Sequence, residues 1–302
     1  MNEKIITFPW IGKQYTKILK NSLENLGLNI QLPPKTSGKT IKLGVKNSSD
    51  MICFPYKATL GNFIEAIEQG ANILLMYDSL GQCRLRHYNK IQEFTLKSLD
   101  YDFEMYGINK KNLFNTLKKL SGKSTLKIFF ELKNLLKNIK KYDKQKTIWL
   151  KDKPNIGIIG EIFCCCDETI NYNIEEKIKS YGANPYNTVT LSSFLNQNLF
   201  SFFKKQNYYE KKAKKYFNGS LGGHGIENIH SLFELVDKKV DGVIHILPLS
   251  CMPETTVEPF INRICSDSNI PLLRIPIDEN NSEANLETRL ETFVELIKWK
   301  RK

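Results

Sequence analysis

The stretch Lys151-Asp152-Lys153-Pro154-Asn155-Ile156-Gly157-Ile158-Ile159-Gly160 marks a change in the character of the chain. Its first four residues are charged or proline and are typical of a linker, whereas Asn155–Gly160 is a short apolar run that ends in glycine. Such a run, bounded by turn-forming residues, predicts a buried β-strand. Because a long helical pattern precedes it, we predict that a second α/β domain begins here.

On both sides of this stretch, short apolar runs alternate with amphipathic segments, which is the pattern of βαβ units around a parallel sheet. Before it we predict strands at Lys4–Phe8, Asn29–Leu32, Ile73–Tyr77 and Tyr101–Glu104, and helices at Tyr15–Leu26, Leu60–Gln69 and Leu113–Tyr142, the last divided at Gly122. From it onward we predict strands at Asn155–Gly160, Gly242–Leu247 and Pro271–Ile275, and helices at Ile174–Tyr181, Leu191–Phe217, Ile226–Val236, Glu254–Cys265 and Glu283–Lys298. The predicted fold is α/β, with two domains (residues 1–150 and 151–302), parallel sheets flanked by helices, and a cleft between the domains.

The composition is that of an ordinary globular protein, with 302 residues, 41% of them apolar and 25% charged. No apolar run reaches the roughly 18 residues that span a bilayer, and the first residues show no signal-peptide pattern. We therefore expect a cytoplasmic protein with no membrane association. Its seven cysteines lack the spacing of a disulfide framework, so we expect buried apolar cysteines, nucleophiles or metal ligands.

The net charge of +12 is concentrated in one region of the chain. Between Lys110 and Lys153 there are fourteen lysines and three acidic residues, whereas the rest is almost neutral. A nucleic-acid surface is expected to offer arginines and interleaved aromatic residues as well. We interpret this lysine-rich helical segment as a solvated helix face and do not expect nucleic-acid binding.

Three cysteines stand in similar places, each past an apolar run and next to a predicted helix start. They are Cys53 in the stretch Met51-Ile52-Cys53-Phe54-Pro55-Tyr56-Lys57, Cys83 in Gly81-Gln82-Cys83-Arg84, and Cys251 in Ser250-Cys251-Met252-Pro253-Glu254. Loops at the carboxyl ends of parallel strands converge on one crevice, so thiols distant in sequence can meet there. Helix starts favour thiolates, and the positive charges of Lys57 and Arg84 can offset the negative charges of thiolates and a cluster.

Taken singly, each of these cysteines is more readily interpreted as a small buried apolar residue. Taken together, their matching positions favour an iron–sulfur site over a structural zinc site, which usually has four protein ligands. The triplet Cys164–Cys166 is interpreted as buried in the core, with Cys165 or a neighbour as an alternative fourth ligand. We expect Cys265 in the core.

Several other residues near predicted strand ends are candidates for supporting roles. The run Gly222-Gly223-His224-Gly225-Ile226-Glu227 predicts either a tight turn before a helix or a backbone that contacts a phosphate or the cluster loop. Glu254 and Glu161 are acid–base candidates, with a helix cap as the alternative for Glu254. His245 is expected in the core, and His87 and His230 on the surface.

These motifs give the chain a resemblance to the acyl-CoA dehydratase activase-related proteins, also called CoA protein activases, which are relatives of the 2-hydroxyacyl-CoA dehydratase D component. The resemblance covers nearly the whole chain. It is carried by the following residues: Phe8-Pro9, Gly12, Leu43-Gly44-Val45-Lys46, the Cys53 and Cys83 motifs, Gly61-Asn62-Phe63-Ile64-Glu65-Ala66, Gly160-Glu161-Ile162, Gly223-His224-Gly225-Ile226-Glu227, Cys251-Met252-Pro253-Glu254 and Pro271-Leu272-Leu273-Arg274.

The resemblance implies two Rossmann-like domains with a 4Fe-4S cluster in the cleft between them, and with Cys53, Cys83 and Cys251 as its ligands. In the dehydratases such a cluster receives an electron from an actin-like ATPase activator, and water is then eliminated from a 2-hydroxyacyl-CoA by a radical route. The expected partners are therefore such an activator, a second dehydratase-type subunit and an acyl-CoA.

Three functional hypotheses follow. The first is an iron–sulfur protein of an anaerobe, acting in ATP-activated, low-potential electron transfer or radical dehydration. The second is a non-catalytic iron–sulfur partner or scaffold subunit of a CoA-enzyme complex. The third is an α/β binding protein that carries zinc or no cluster and simply buries its cysteines.

Overall fold

The computed structural model describes residues 3–78, 83–198, 207–217 and 225–301, with only the backbone described at 196–198 and 207. The chain divides into two compact units. The first comprises Met1–Tyr142 and Leu191–Phe200, and the second comprises Asp143–Thr190 and Ser201–Lys302. Cys53 and Cys83 therefore belong to the first unit and Cys251 to the second.

The first unit contains a three-stranded parallel sheet in the order β1-β2-β3, and Ile30 forms a single parallel bridge to Ile6 on the other side of β1. Its strands are β1 Ile6–Thr7, β2 Ile73–Tyr77 and β3 Glu104–Ile108, and the helices along this part of the chain are α1 Lys13–Asn25, α2 Gly38–Lys46, α3 Phe54–Glu68, α4 Tyr88–Ser98, α5 Leu113–Ser121 and α6 Thr125–Lys146. A 3-10 turn, Arg84–His87, precedes α4.

The second unit contains a four-stranded parallel sheet in the order β5-β4-β6-β7. Its strands are β4 Asn155–Gly160, β5 Asn184–Asn187, β6 Gly242–Pro248 and β7 Leu272–Ile277, and the helices along this part of the chain are α7 Ile162–Cys166, α8 Ile174–Ser180, α9 Leu191–Asn198, α10 Asn207–Ala213, α11 Gly225–Asp237, α12 Met252–Asp267 and α13 Glu283–Arg301. Of these helices, α9 belongs to the first unit, where the ring of Phe194 packs edge-on against Tyr77 with centroids 5.0 Å apart.

The strand order of the second unit's sheet indicates where its crevice lies. In the second unit, β4 is flanked by β5 on one side and β6 on the other, so the strand order reverses between β4 and β6. Open parallel sheets bind ligands outside the carboxyl ends of strands at such a reversal. Glu161 directly follows β4, and Cys251 follows β6 by three residues. In the first unit Cys83 follows β2, beyond residues that lie outside the described chain.

The predicted α/β class, with parallel sheets flanked by helices, is confirmed by these two sheets. Strands β2 and β4 have the predicted bounds, and Gly122 ends α5 in a left-handed conformation, φ 65°. The lysine-rich helix α6 buries Ile128, Leu132 and Ile139 and exposes most of its lysines, which confirms the interpretation of a solvated face. Among the described helices, none is long and apolar enough to cross a membrane.

Other element predictions were wrong in their bounds. Helix α3 begins at Phe54 rather than Leu60, because Pro55 occupies the first turn, where its missing N–H costs no hydrogen bond. The predicted strand Tyr101–Glu104 lies at Glu104–Ile108, and Asn29–Leu32 contributes only the bridge at Ile30. The predicted helix Leu191–Phe217 is represented by α9 and α10, and residues 199–206 between them are outside the described chain.

Candidate functional site

The three predicted cysteines share one backbone position: each is the N-cap residue that precedes a helical segment. Cys53 caps α3, Cys83 caps the 3-10 turn Arg84–His87, and Cys251 caps α12. Their backbones are extended, with φ/ψ of −65°/144°, −66°/148° and −77°/111°. None of the three side chains accepts a capping hydrogen bond from its own helix. The predicted position at helix starts is therefore confirmed.

In the first unit, the Cys53 and Cys83 segments are held together by two contacts. Arg84 Nη1 donates a hydrogen bond to the carbonyl oxygen of Met51 at 2.8 Å, and Tyr88 Oη lies 2.7 Å from Cys53 Sγ. The Cys53 side chain is buried, whereas Cys83 is partly exposed. The two cysteines thus lie on adjoining segments, with Cys83 on the side that solvent reaches.

Both predicted cations bind the loop that precedes Cys53. Lys57 is only 2% exposed, and its Nζ donates to the carbonyl oxygen of Asp50 at 3.2 Å, one residue before the carbonyl that Arg84 binds. A buried ammonium group is costly unless it is paired or hydrogen-bonded, and the Asp50 carbonyl oxygen supplies such a hydrogen bond. Lys57 and Arg84 thus both place positive charge at the loop that precedes Cys53.

In the second unit, a strained turn presents Cys251. Ser250 adopts φ 61°, a conformation that is uncommon for a residue with a side chain, and Cys251 N donates to the Pro248 carbonyl oxygen at 3.1 Å. Pro253 then occupies the first turn of α12. Backbone strain of this kind persists only where the surrounding structure enforces it and is concentrated at functional sites. Cys251 is 4% exposed.

A buried polar network braces the first turn of α12 beneath this cysteine. Glu254 Oε2 lies 2.7 Å from His245 Nε2 on β6, and Glu254 Oε1 accepts a 2.7 Å hydrogen bond from Asn228 Nδ2 on α11. The Asn228 amide oxygen in turn accepts from the backbone N–H of Gly160 at 3.1 Å, at the end of β4. The network thus connects four elements that meet at the carboxyl ends of β4 and β6.

This network corrects the expected roles of two residues. Glu254 is not a helix cap, since both of its carboxylate oxygens are bonded to side chains of other elements. His245 is buried as predicted, but it is a polar partner of Glu254, and its Nδ1 has no hydrogen-bond partner among the described residues. Asn228 was missed, although a polar residue beside Ile229 and Leu232 on an apolar helix face is a recognisable signal.

We expect Asn228→Ala to destabilise the protein by about 2 kcal/mol, because it leaves the Gly160 N–H and one oxygen of Glu254 without partners in a buried site. Urea unfolding, followed by circular dichroism, measures this loss. Ser231→Ala on the same helix is the matched control and should change stability by less than about 0.5 kcal/mol. Equal effects of the two substitutions would contradict the importance of the network.

Glu161 caps α7, accepting a 2.9 Å hydrogen bond from the backbone N–H of Cys164. Burial raises the pKa of Glu161 from its ordinary 4.5 to about 7, against the opposing effect of hydrogen bonds from the Cys164 and Phe163 backbones. Burial likewise raises the pKa of Glu227 to about 7, and the charge of Glu254 adds to both shifts. Carboxyl groups tuned toward neutrality are frequent at functional sites.

The raised pKa values of Glu161 and Glu227 predict a stability that depends on pH. A carboxyl group that binds its proton more tightly when folded contributes stability fully below about 4.5, and this contribution is lost as the pH rises through about 7. We therefore expect the urea concentration at the unfolding midpoint to decrease as the pH is raised from about 5 to about 7.5. This is roughly the interval between the pKa values of these carboxyl groups in the unfolded and folded states. Glu161→Gln should flatten this decline, whereas Gln at the exposed Glu291 should leave it unchanged.

The cysteine triplet lies on a short helix rather than on a strand. Cys164, Cys165 and Cys166 form the last three residues of α7, and all are buried. Burial raises the pKa of each thiol well above its ordinary value. Cys265 is buried in an apolar cluster, and burial raises its pKa to about 12. The expected burial of the triplet and of Cys265 is confirmed. A fourth ligand from the triplet stays an open alternative, since the proposed ligands Cys53 and Cys251 are buried as well.

The remaining predicted site residues are only partly covered by the structure. Gly223 and His224, predicted to support the cluster, lie outside the described residues, as do Gly81 and Gln82 before Cys83. His87 is exposed as predicted, but His230 is half-buried, and burial lowers its pKa. In the described part of the chain, no group of three or more histidine, cysteine or acidic side chains is arranged to hold a metal ion.

The donor chemistry nevertheless suits an iron–sulfur cluster. Cys53 and Cys251 stand at the N-termini of helices of 15 and 16 residues, where unpaired backbone N–H groups favour negatively charged sulfur. Lys57 and Arg84 add positive charge at the Cys53 loop. The residue types and their local surroundings thus fit a thiolate-bound cluster, and their role as its ligands stays a prediction.

Comparison with known proteins gives one match. The family profile described as 2-hydroxyglutaryl-CoA dehydratase, D-component, matches residues 55–297 of the chain, which include Cys83, Cys251 and the buried network around Glu254. Cys53 lies two residues before the matched region. No curated protein sequence matches the chain.

Proposed function

The chain belongs to the 2-hydroxyglutaryl-CoA dehydratase D-component family, and from this we propose that it is the cluster-bearing component of a 2-hydroxyacyl-CoA dehydratase system. The proposed cofactor is a 4Fe-4S cluster bound by Cys53, Cys83 and Cys251. The proposed site is the cleft between two Rossmann-like domains that the sequence predicts. The activase-related proteins are the proposed subgroup within this family.

The observation that carries this proposal is the common placement of the three cysteines. All three occupy N-cap positions in extended backbone, and two of them are followed by proline in the first helical turn. Packing alone gives no reason for three buried or half-buried thiols to recur at the same backbone position. A shared ligand gives such a reason, because each N-cap directs its side chain beside the N-terminus of the segment that follows.

Cys53, Cys83 and Cys251 would hold a 4Fe-4S cluster through three of its irons, and the cluster would supply Lewis-acid and one-electron chemistry when bound. The protein's own residues supply the surroundings. The cations of Lys57 and Arg84 offset the negative charge of thiolates in the first unit, and the network of His245, Glu254 and Asn228 fixes the turn that carries Cys251. Burial of Cys53 and Cys251 limits the access of water to their sulfur atoms.

The proposed partners follow from the same family relationship. Members described as D-components imply a further subunit, and we propose an actin-like ATPase activator as the source of electrons. An acyl-CoA is the proposed substrate class. The proposed overall activity is ATP-activated, low-potential electron transfer that supports the elimination of water from a 2-hydroxyacyl-CoA.

A non-catalytic iron–sulfur subunit is the second candidate, and the environment of Glu254 favours it. This carboxylate is the acid–base candidate that follows Cys251 most closely, yet both of its oxygens are bonded to His245 and Asn228. A carboxylate held in this way supports structure and is poorly placed to exchange protons with a substrate. Under this second proposal the chain carries the cluster, and a partner subunit performs the elimination.

Anaerobic purification tests both proposals together. Protein isolated without oxygen should be brown and should contain about four irons and four sulfides per chain. Colourless protein that takes up no iron during anaerobic reconstitution would contradict both proposals. The addition of activator, ATP, reductant and a panel of 2-hydroxyacyl-CoAs, with and without a second subunit, then separates an enzyme from a carrier, since only an enzyme eliminates water by itself.

A further inference from the structure

Tyr88 connects the Cys83 segment to the Cys53 side chain. It is the first residue of α4, directly after the 3-10 turn that Cys83 caps, and it is 2% exposed. Its Oη lies 2.7 Å from Cys53 Sγ in a buried environment. A buried phenol requires a hydrogen-bond partner, and the sulfur atom of a proposed cluster ligand is one such partner of Tyr88.

The surrounding side chains hold this hydroxyl in place. The ring of Tyr88 packs edge-on against Tyr56, with centroids 5.1 Å apart and an interplanar angle of 86°. One turn further along α4, Gln92 Nε2 donates a buried 2.8 Å hydrogen bond to Thr59 Oγ1 on α3. Helix α4 is thereby fixed to the helix that Cys53 caps, so the contact between Tyr88 and Cys53 does not depend on a mobile side chain.

The direction of the hydrogen bond follows from the chemistry of the two groups. A phenol can donate or accept, but a metal-bound thiolate carries no hydrogen and can only accept. Tyr88 must therefore be the donor whenever Cys53 is a ligand. A donor that faces a ligand sulfur stabilises the additional negative charge of the reduced cluster and raises its reduction potential.

We propose that Tyr88 is a positioning residue that donates its O–H to the Cys53 thiolate, orients this ligand and raises the reduction potential of the bound cluster. The inference rests on the proposed function, because it assumes that Cys53 is a cluster ligand. It assigns to this chain a residue that sets how readily the cluster accepts an electron from its donor. The hydroxyl of Tyr88 is the atom that carries the effect.

The test compares Tyr88→Phe with Tyr56→Phe in anaerobically reconstituted full-length protein. Both variants lose one hydroxyl from a buried, mutually packed ring, but Tyr56 Oη lies 3.4 Å from Thr95 Oγ1 and is not bonded to a cysteine. Dithionite titration, followed by electron paramagnetic resonance, gives the reduction potential of each protein. At a fixed solution potential, we expect the ratio of reduced to oxidised cluster to be about tenfold lower in Tyr88→Phe than in the wild type. This corresponds to a reduction potential that is lower by about 59 mV.

Resonance Raman spectroscopy provides a second signature that a purely structural role would not change. Loss of the hydrogen bond should strengthen one iron–cysteine bond and raise its stretching frequency in Tyr88→Phe, but not in Tyr56→Phe. A wild type that binds the cluster, with equal potentials and spectra in the two variants, would overturn this inference and leave the proposed function standing. A wild type that binds no iron would overturn both.

Discussion

Serine in place of Cys53, Cys83 or Cys251 is expected to reduce the iron content from about four atoms per chain to less than about one. The serine hydroxyl is far less acidic than a thiol and is a poor ligand for iron, and a cluster held by three protein ligands has no spare one. Iron and acid-labile sulfide, quantified per chain after anaerobic reconstitution, measure this loss. Circular dichroism of the iron-free proteins checks that each variant remains folded.

Cys265→Ser is the matched control, because it replaces a buried cysteine that has no proposed ligand role. Cys265 lies in an apolar cluster with Val257, Ile261 and Ile264, and burial raises the pKa of its thiol to about 12. It is expected to retain full iron with a modest loss of stability. If Cys265→Ser removes the iron and Cys83→Ser does not, the ligand assignment is wrong.

Serine at Cys164, Cys165 or Cys166 extends the comparison to the cysteine triplet, in which Cys165 or a neighbour is the alternative fourth ligand. The alternative of a fourth ligand from Cys164–Cys166 predicts a loss of iron in one of these variants, whereas the core interpretation predicts none. In the structure, Cys166 Sγ approaches the Val189 carbonyl oxygen at 3.9 Å, and burial raises the pKa of its thiol. These surroundings favour a protonated core thiol and therefore full iron content.

The parts of the fold that could be predicted from the sequence are those whose signal is local. Strands β2 and β4 are continuous apolar runs because both faces of a parallel sheet are covered by helices, and such runs have sharp ends. Positions near helix starts could also be anticipated for Cys53 and Cys251, although the predicted helices began later, at Leu60 and Glu254, than the observed ones. Each cysteine is followed at the second position by proline, which begins helices and rarely continues them.

The elements that were missed depend on tertiary contacts. Strand β5, Asn184–Asn187, has a polar composition and includes a proline, and it is tolerated because it lies at the edge of its sheet. Helix α2 is nine residues long and contains two glycines, Gly38 and Gly44, so its own propensity is weak. The contacts of Tyr88 with Cys53 and of Asn228 with Glu254 join residues 35 and 26 positions apart. A local pattern can mark Asn228 as a buried polar residue, but it does not indicate the partner of either residue.

Helix α2 packs against α3, and two glycines show how closely the helices approach. A Cβ atom added at Gly61 of α3 would overlap the carbonyl oxygen of Thr40 on α2, and one added at Gly44 of α2 would overlap the carbonyl oxygen of Lys57 on α3. Thr40 Oγ1 also donates a 2.5 Å hydrogen bond to Glu65 Oε2 across the same interface. Backbone therefore faces backbone here, with no flexible side chain that can move aside.

Gly61→Ala is expected to destabilise the first unit by more than about 3 kcal/mol, because the new methyl group forces α2 and α3 apart at their buried contact. Since the Gly44 contact falls on Lys57, one turn after Cys53, Gly44→Ala should also displace the Cys53 loop and reduce iron retention. Thermal and urea unfolding measure the first effect, and iron content measures the second. Destabilisation too severe for soluble expression would agree with the expected direction.

Gly38→Ala is the control that isolates the close approach from a general effect of removing glycine. Gly38 is the first residue of the same helix α2, and nothing lies within 4 Å of the position that its Cβ would occupy. Alanine there should leave stability unchanged or raise it by up to about 1 kcal/mol, since it lowers the conformational entropy of the unfolded chain. If Gly61→Ala and Gly38→Ala unfold at the same urea concentration as the wild type, α2 and α3 do not pack through backbone contact. The fixed position of Cys53 at the start of α3 would then lose its physical basis.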